Sequence, residues 1–108
     1  MTASLPTRAT LAQVWQRAAQ RALAADLPHQ LRQRGGSVLV PSLSTEGAAH
    51  RVQLVAGLVG GCDCEAGLHG RPCKHRAAVA LRLLERALGC RVTAVKAPVA
   101  VQRFLVSG

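Results

Sequence analysis

A cluster of cysteine and histidine residues constrains this chain more than any other feature. The segment from Cys62 to His75 has the pattern C-x-C, eight residues, C-x-H. Three thiols and one imidazole, arranged as two close pairs, form a donor set that suits tetrahedral Zn²⁺. We therefore predict one structural Zn²⁺ with four ligands: Cys62, Cys64, Cys73 and His75.

The spacing within each pair has a physical reason. Residues two apart on an extended strand point to the same face, so Cys62 and Cys64 can hold one ion together. Cys73 and His75 lie at the start of a predicted helix, where unpaired N–H groups favour a thiolate. Glycine and proline residues in the loop between the pairs allow it to fold back.

Other uses of the cysteines compete with zinc. Two disulfides that include Cys90 are disfavoured in a reduced compartment, and iron–sulfur clusters prefer four thiolates. Cysteines that only fill a core would not cluster with a histidine. We expect Cys90 to be a buried small hydrophobic residue, and His69 to lie exposed in the loop without contacting the metal. His29 and His50 have no partner pattern and are expected at the surface.

The size of the chain supports the need for a metal. Its 108 residues allow one domain with one modest core, and that core has only one Trp and one Phe available. So small a core often requires a metal or a disulfide. The uncharged stretches are far shorter than the roughly 20 residues that cross a bilayer, and the N-terminus has no apolar signal core. We expect a cytoplasmic chain, nucleoid-associated if bacterial, with no membrane partner.

Hydrophobic periodicity predicts two helices. The first covers residues 10–26, begins after a cap at Thr10 and ends at Leu27-Pro28. It could continue after a kink through residues 31–34. The second covers Cys73 to Leu88 and ends at Gly89, a residue type that favours the position after a helix.

Between the helices, two apolar segments predict antiparallel strands at residues 37–42 and 50–55. A glycine-rich, twisted run then leads to the cysteines. After the second helix, residues 91–95 could form a third strand, and Val99–Val106 is an apolar segment. We divide the chain into an N-terminal helical segment (1–36), a zinc-binding domain (37–89) and a C-terminal strand or extension (90–108) that packs on the domain or on a partner.

The ligand pattern, with Lys74 between the last two ligands, resembles the SWIM zinc finger. The resemblance covers about residues 37–88 and includes the preceding strands and the following helix. It implies an α+β fold: a small zinc-stabilised ββα core, here with an additional N-terminal amphipathic helix and an apolar C-terminal extension. SWIM domains occur in Swi/Snf-type ATPases, Mutator-type transposases, a kinase and accessory proteins of homologous recombination, and are thought to bind DNA or proteins.

The charge of the chain suggests an anionic partner. The formal net charge is +9, or about +8 with three thiolates and Zn²⁺ in place. Five basic residues lie beside the predicted metal or along the second helix, and we predict that they bind nucleic acid: Arg71, Lys74, Arg76, Arg82 and Arg86. The competing interpretation is an arginine-rich surface that is merely solvated.

The sequence thus favours a structural zinc-binding module that binds nucleic acid, with DNA as the first candidate. It would act as an accessory factor in DNA transactions. The alternative is a zinc-stabilised protein–protein interaction adaptor with no direct nucleic-acid role. Its partner would dock on the helix of Trp15 or on the Val99–Val106 segment. We expect no enzyme activity and no small-molecule substrate, because no nucleophile–base pair, open metal site or phosphate-binding glycine loop is present.

Overall fold

A computed structural model describes residues 8–93 and 101–106, with side chains from residue 11 onward. These residues fold into three α-helices and one four-stranded sheet. The helices are α1 (Arg8–Ala24), α2 (Glu65–Leu68) and α3 (Lys74–Leu88), with a 3₁₀ turn at Leu27–His29. The strands are β1 (Arg32–Arg34), β2 (Ser37–Pro41), β3 (Ala49–Val55) and β4 (Leu58–Cys62). The α+β class is confirmed.

The sheet is antiparallel throughout, and its strands lie in the order β1-β2-β3-β4. Because successive side chains of a strand point to opposite faces, the sheet has one buried face. Val38, Val40 and Val52 point inward and are buried, whereas Leu39 and Arg51 point outward. The inward face packs on α3, and α1 packs on α3 in turn. The core therefore lies between the sheet and the helices.

Small residues make this packing possible despite the shortage of aromatic side chains. Ala77, Ala78 and Ala80 on α3 are completely buried, as are Ala19 and Ala22 on α1. Alanine at such positions lets helices approach each other closely, but each alanine buries little apolar area. A core built in this way gains stability from a metal that fixes one end of it.

Three details of the first segment differ from prediction. Thr10 lies inside α1 and is not its cap, since the helix includes Arg8. The helix ends at Ala24, and Asp26 follows in the left-handed conformation with φ 55°. Residues 32–34 do not extend a helix. They form an edge strand that pairs with β2 through a turn at Gly35-Gly36, because Gly35 adopts φ 57° without strain.

The glycine-rich run before the cysteines is a complete strand, β4, which the sequence indicated only as a twisted segment. It follows β3 after a two-residue turn in which Ala56 and Gly57 both have positive φ. Such hairpin turns usually contain Asn-Gly or Asp-Gly, so the Ala-Gly pair was only a weak indication of a hairpin. The pairing register shifts between Val52 and Leu54, as a bulge requires.

The C-terminal segment packs on the chain itself. Val101 is fully buried, and Leu105 forms a parallel bridge with Val59 at the edge of β4. The third strand predicted over 91–95 is wrong for residues 91–93, which are in no strand. Its remaining residues, and residues 99–100 of the apolar segment, lie outside the described part. No helix in the described ranges is both long and apolar enough to span a bilayer.

Candidate metal centre and basic cleft

The four predicted ligands lie at the ends of three elements. Cys62 is the last residue of β4, and Cys64 is the N-cap of α2. Cys73 is the N-cap of α3, and His75 lies in the first turn of that helix. The prediction that both residues of the C-x-C pair lie on one strand is wrong for Cys64. A strand end followed at once by a helix start brings the two sulfurs together instead.

The geometry fits a tetrahedral metal site. The three sulfur atoms and a ring nitrogen of His75 all lie within 4.8 Å of one another. A tetrahedral zinc with Zn–S bonds of about 2.3 Å would place its sulfurs roughly 3.8 Å apart. All four residues are buried, and neither ring nitrogen of His75 has a protein hydrogen-bond partner. A buried imidazole with no partner is costly unless a ligand satisfies it, and a metal would do so.

Backbone N–H groups favour negative charge on the sulfurs. The Gly67 N–H donates to Cys64 Sγ at 3.3 Å, and the Arg76 N–H donates to Cys73 Sγ at 3.4 Å. A hydrogen bond from the Cys62 thiol lowers the pKa of Cys73 to about 4, and burial works against it. That same bond, together with burial, raises the pKa of Cys62. A bound Zn²⁺ would relieve this competition between neighbouring sulfurs, since a coordinating thiol is deprotonated by the metal.

A close backbone approach shapes the loop between the ligand pairs. Gly67 in α2 packs so tightly on Cys62 that a Cβ at this position would lie 2.7 Å from the Cys62 Cβ and closer still to its carbonyl oxygen. Only glycine permits this approach. It holds α2 against the end of β4 and so brings Cys64 beside Cys62.

Two histidines expected at the surface are in fact engaged. The ring of His50 stacks on the ring of His75, with centroids 4.3 Å apart, and its Nδ1 lies 3.3 Å from an Asp63 carboxylate oxygen. His29 is only 20% exposed and lies 2.9 Å from both carboxylate oxygens of the buried Glu85. The alternation of His50 with Val52 along the strand would place His50 on the inward face, a signal that the sequence prediction did not use. No local pattern indicated the contact of His29 with Glu85.

The two remaining candidate ligands lie outside the metal cluster. His69 is exposed, as expected. The expectation of a buried Cys90 is wrong, because this residue follows the end of α3 and is exposed. Gly89 ends the helix in the left-handed conformation, so the chain leaves the core before Cys90.

A cleft of about 850 Å³ opens directly beside the metal site. Its walls come from α1, from the loop after β2 and the start of β3, and from the segment that carries the ligands. Four basic side chains line it against a single carboxylate, that of Glu65: Arg17, Arg21, Arg71 and Lys74. Arg17 and Arg21 were not among the predicted binding residues, since only the tertiary packing of α1 brings them here.

The other three predicted binding residues lie elsewhere. Arg76 Nε donates to the Gly60 carbonyl at 2.8 Å, and its guanidinium lies 5.2 Å from the centre of the Trp15 ring. Arg82 and Arg86 are exposed and line a separate groove, where Arg82 lies 3.7 Å from Glu85. The five basic residues therefore do not form one continuous cluster around the metal.

The fold and the site define a small zinc-stabilised α+β module. Residues 50–84, which contain all four ligands, match the family model of the SWIM zinc finger. The chain thus carries a SWIM zinc finger, as its ligand spacing predicted, and this finger binds one structural zinc ion. No curated protein and no solved structure matches the chain significantly.

Proposed function

We propose that this chain is a non-catalytic, zinc-stabilised module that binds nucleic acid, with DNA as its first candidate, and acts as an accessory factor in DNA transactions. The observation that supports this most is the cleft beside the zinc site. Helix α1 contributes two basic side chains to it, and the ligand loop and the first residue of α3 contribute one each. Guanidinium and ammonium groups that converge in this way are suited to phosphate groups.

The mode of binding follows from the side chains that the module has available. Trp15 is 4% exposed and covered by Arg76, so it offers no platform for a base. Stacking on single strands depends on exposed aromatic residues. Contacts from arginine and lysine to phosphates are largely independent of sequence and weaken as salt displaces them. We therefore propose salt-dependent binding with little base readout.

Arg82 and Arg86 line a separate groove, and we include them in the proposal as additional phosphate contacts on α3. They lie about 12 and 18 Å along the helix axis from Lys74, so they would contact phosphates outside the cleft. Arg76 is left out of the proposal, because its guanidinium already bonds within the chain.

Fluorescence anisotropy with single- and double-stranded DNA and RNA, measured across a salt series, tests the proposal. Lys74→Gln removes one cleft charge and should flatten the salt slope on duplex DNA by about one unit. Arg103→Gln is the matched control, since it removes one charge from an exposed residue outside the cleft. Equal slopes for the two variants would count against the cleft, and the absence of binding at low salt would refute the proposal.

A protein-interaction adaptor is the second candidate. Two leucines near the metal site are exposed: Leu68 in α2 at 74% and Leu43 at the cleft at 53%. The elements first considered for docking are less suitable, because Trp15 and Val101 are buried within the chain. A chain that binds zinc but no nucleic acid, and that captures a protein partner only while Leu68 is intact, would favour the adaptor.

A further inference from the structure

The outward face of the sheet carries a second set of basic residues. Register places Arg32 of β1 opposite Leu39 of β2, and Leu39 opposite Arg51 of β3. Leu39 points outward because its neighbours Val38 and Val40 are buried, so Arg32 and Arg51 point outward with it. Arg34, two residues along β1, lies on the same face. All three arginines are exposed.

The charges on this face are not neutralised within the described residues. None of the three guanidinium groups forms an ion pair with a carboxylate of that part of the chain. Asp63 accepts a hydrogen bond from the Arg51 backbone N–H and contacts His50. Arg32 and Arg34 lie about 7 Å apart along the strand, and Arg32 and Arg51 about 10 Å apart across it. The face thus presents a flat array of unpaired positive charge.

This face and the cleft lie on opposite sides of the sheet. His50 lines the cleft and stacks on His75, while Arg51, the next residue of β3, points the other way. A duplex held in the cleft therefore leaves the outward face accessible to another polyanion. The described strands β1 to β4 carry no Phe, Tyr or Trp, and His50 lies on the inward face, so contacts here would be made to the phosphodiester backbone rather than to bases.

We propose that the outward sheet face, through Arg32, Arg34 and Arg51, binds the backbone of a second DNA duplex, so that a single chain bridges two duplexes. This inference rests on the proposed function, because the first duplex is held by the cleft. It assigns the outward sheet face a role in nucleic-acid binding that is separate from the role of the cleft. The consequence is that one monomer joins two DNA segments.

A bridging assay tests this. One short duplex is fixed to beads, and capture of a second, fluorescent duplex is measured with wild-type protein and variants, with anisotropy on one duplex in parallel. Arg51→Glu should lower capture by about tenfold or more, since it replaces attraction with repulsion at the centre of the face. Its affinity for a single duplex should fall far less. The matched reversal Arg103→Glu, outside both surfaces, should keep capture.

A second variant covers the risk that Arg51→Glu disturbs β3. Arg32→Glu/Arg34→Glu changes only the exposed edge strand and should also abolish capture, with zinc stoichiometry by native mass spectrometry as the check on folding. If wild-type protein binds one duplex but captures no second one, the bridging inference fails while the proposed function survives. Capture of the second duplex that persists in both sheet variants would also overturn the bridging inference. A failure of wild-type protein to bind any nucleic acid, single- or double-stranded, refutes the proposed function itself.

Discussion

At the scale of single residues, Arg76 shows how the same charge can serve the fold rather than a partner. Its neighbours in sequence suggested a binding residue, but its side chain joins α3 to β4 through the Gly60 carbonyl and covers Trp15 of α1. A partly buried, charge-assisted hydrogen bond and a cation–π contact act at one position. Arg76 is therefore best understood as a link between three elements.

Arg76→Ala should accordingly lower the free energy of unfolding by about 2 kcal/mol, because both contacts are lost and the Gly60 carbonyl is left without its partner. Urea unfolding of zinc-saturated protein measures this. Arg86→Ala removes an exposed arginine from the same helix and should change stability by less than about 0.5 kcal/mol. Equal effects of the two substitutions would show that the contacts of Arg76 contribute nothing.

At the scale of elements, the placement of α2 against β4 depends on one glycine. Gly67→Ala would push its Cβ into the backbone of Cys62, so α2 must move and carry Cys64 away from the other ligands. We expect zinc affinity to fall by about 10- to 100-fold, as it does when groups that orient ligands are disturbed. Competition with a chromogenic chelator measures the change.

Gly61→Ala is the control for this substitution. Gly61 lies beside Cys62, yet nothing stands within 4 Å of a Cβ built there. Its zinc affinity should remain close to that of the wild type. A normal affinity for Gly67→Ala would show that α2 adjusts without displacing Cys64.

A charged network joins the 3₁₀ turn to α3 at the other end of the molecule. His29 contacts both Asp26 and Glu85, Arg91 bonds to Asp26 at 3.0 Å, and the Val92 N–H donates to Glu85 at 2.8 Å. The hydrogen bond to Asp26, followed by that to Glu85, raises the pKa of His29 above its ordinary 6.5. Burial pushes the pKa of Glu85 up, but the bonds from His29 and Val92 outweigh it and leave the pKa below 4.5.

The sign of each shift predicts the pH dependence of stability. A raised histidine pKa stabilises the fold fully below pH 6.5 and loses that contribution as pH rises through the folded value. A lowered carboxyl pKa stabilises above 4.5 and loses its contribution as pH falls through the folded value. The melting temperature of zinc-saturated protein should therefore decline as the pH rises above 6.5 and through the raised pKa of His29. Glu85→Gln should flatten this decline, whereas Glu46→Gln, at an exposed turn residue, should preserve it.

At the scale of the whole molecule, the sequence predicted what depends on local chemistry and periodicity. Ligand spacing identified the zinc site, and apolar periodicity located α3, β2 and β3. The sequence did not reveal contacts between distant segments, such as that of His29 with Glu85, 56 residues away. Nor did it reveal the position of Arg17 beside the metal site. Local signals also failed where they were weak: β1 has no β-branched residue, and β4 contains two glycines.

The zinc site joins the sheet, α2 and α3 through their ligands, and this predicts how the whole molecule responds to its loss. Cys73→Ser isolates the metal, because serine still caps α3 at this N-cap position but replaces a thiolate ligand. Structural zinc contributes about 10–16 kcal/mol to finger peptides, as much as the entire stability of a typical domain. We expect native mass spectrometry to find no zinc, thermal unfolding to lose its cooperativity, and DNA binding to disappear with the cleft although every basic residue remains. Cys90→Ser, at an exposed cysteine outside the site, should behave as wild type. A melting temperature unchanged by Cys73→Ser or by chelation would mean that the alanine-rich core holds the fold without its metal.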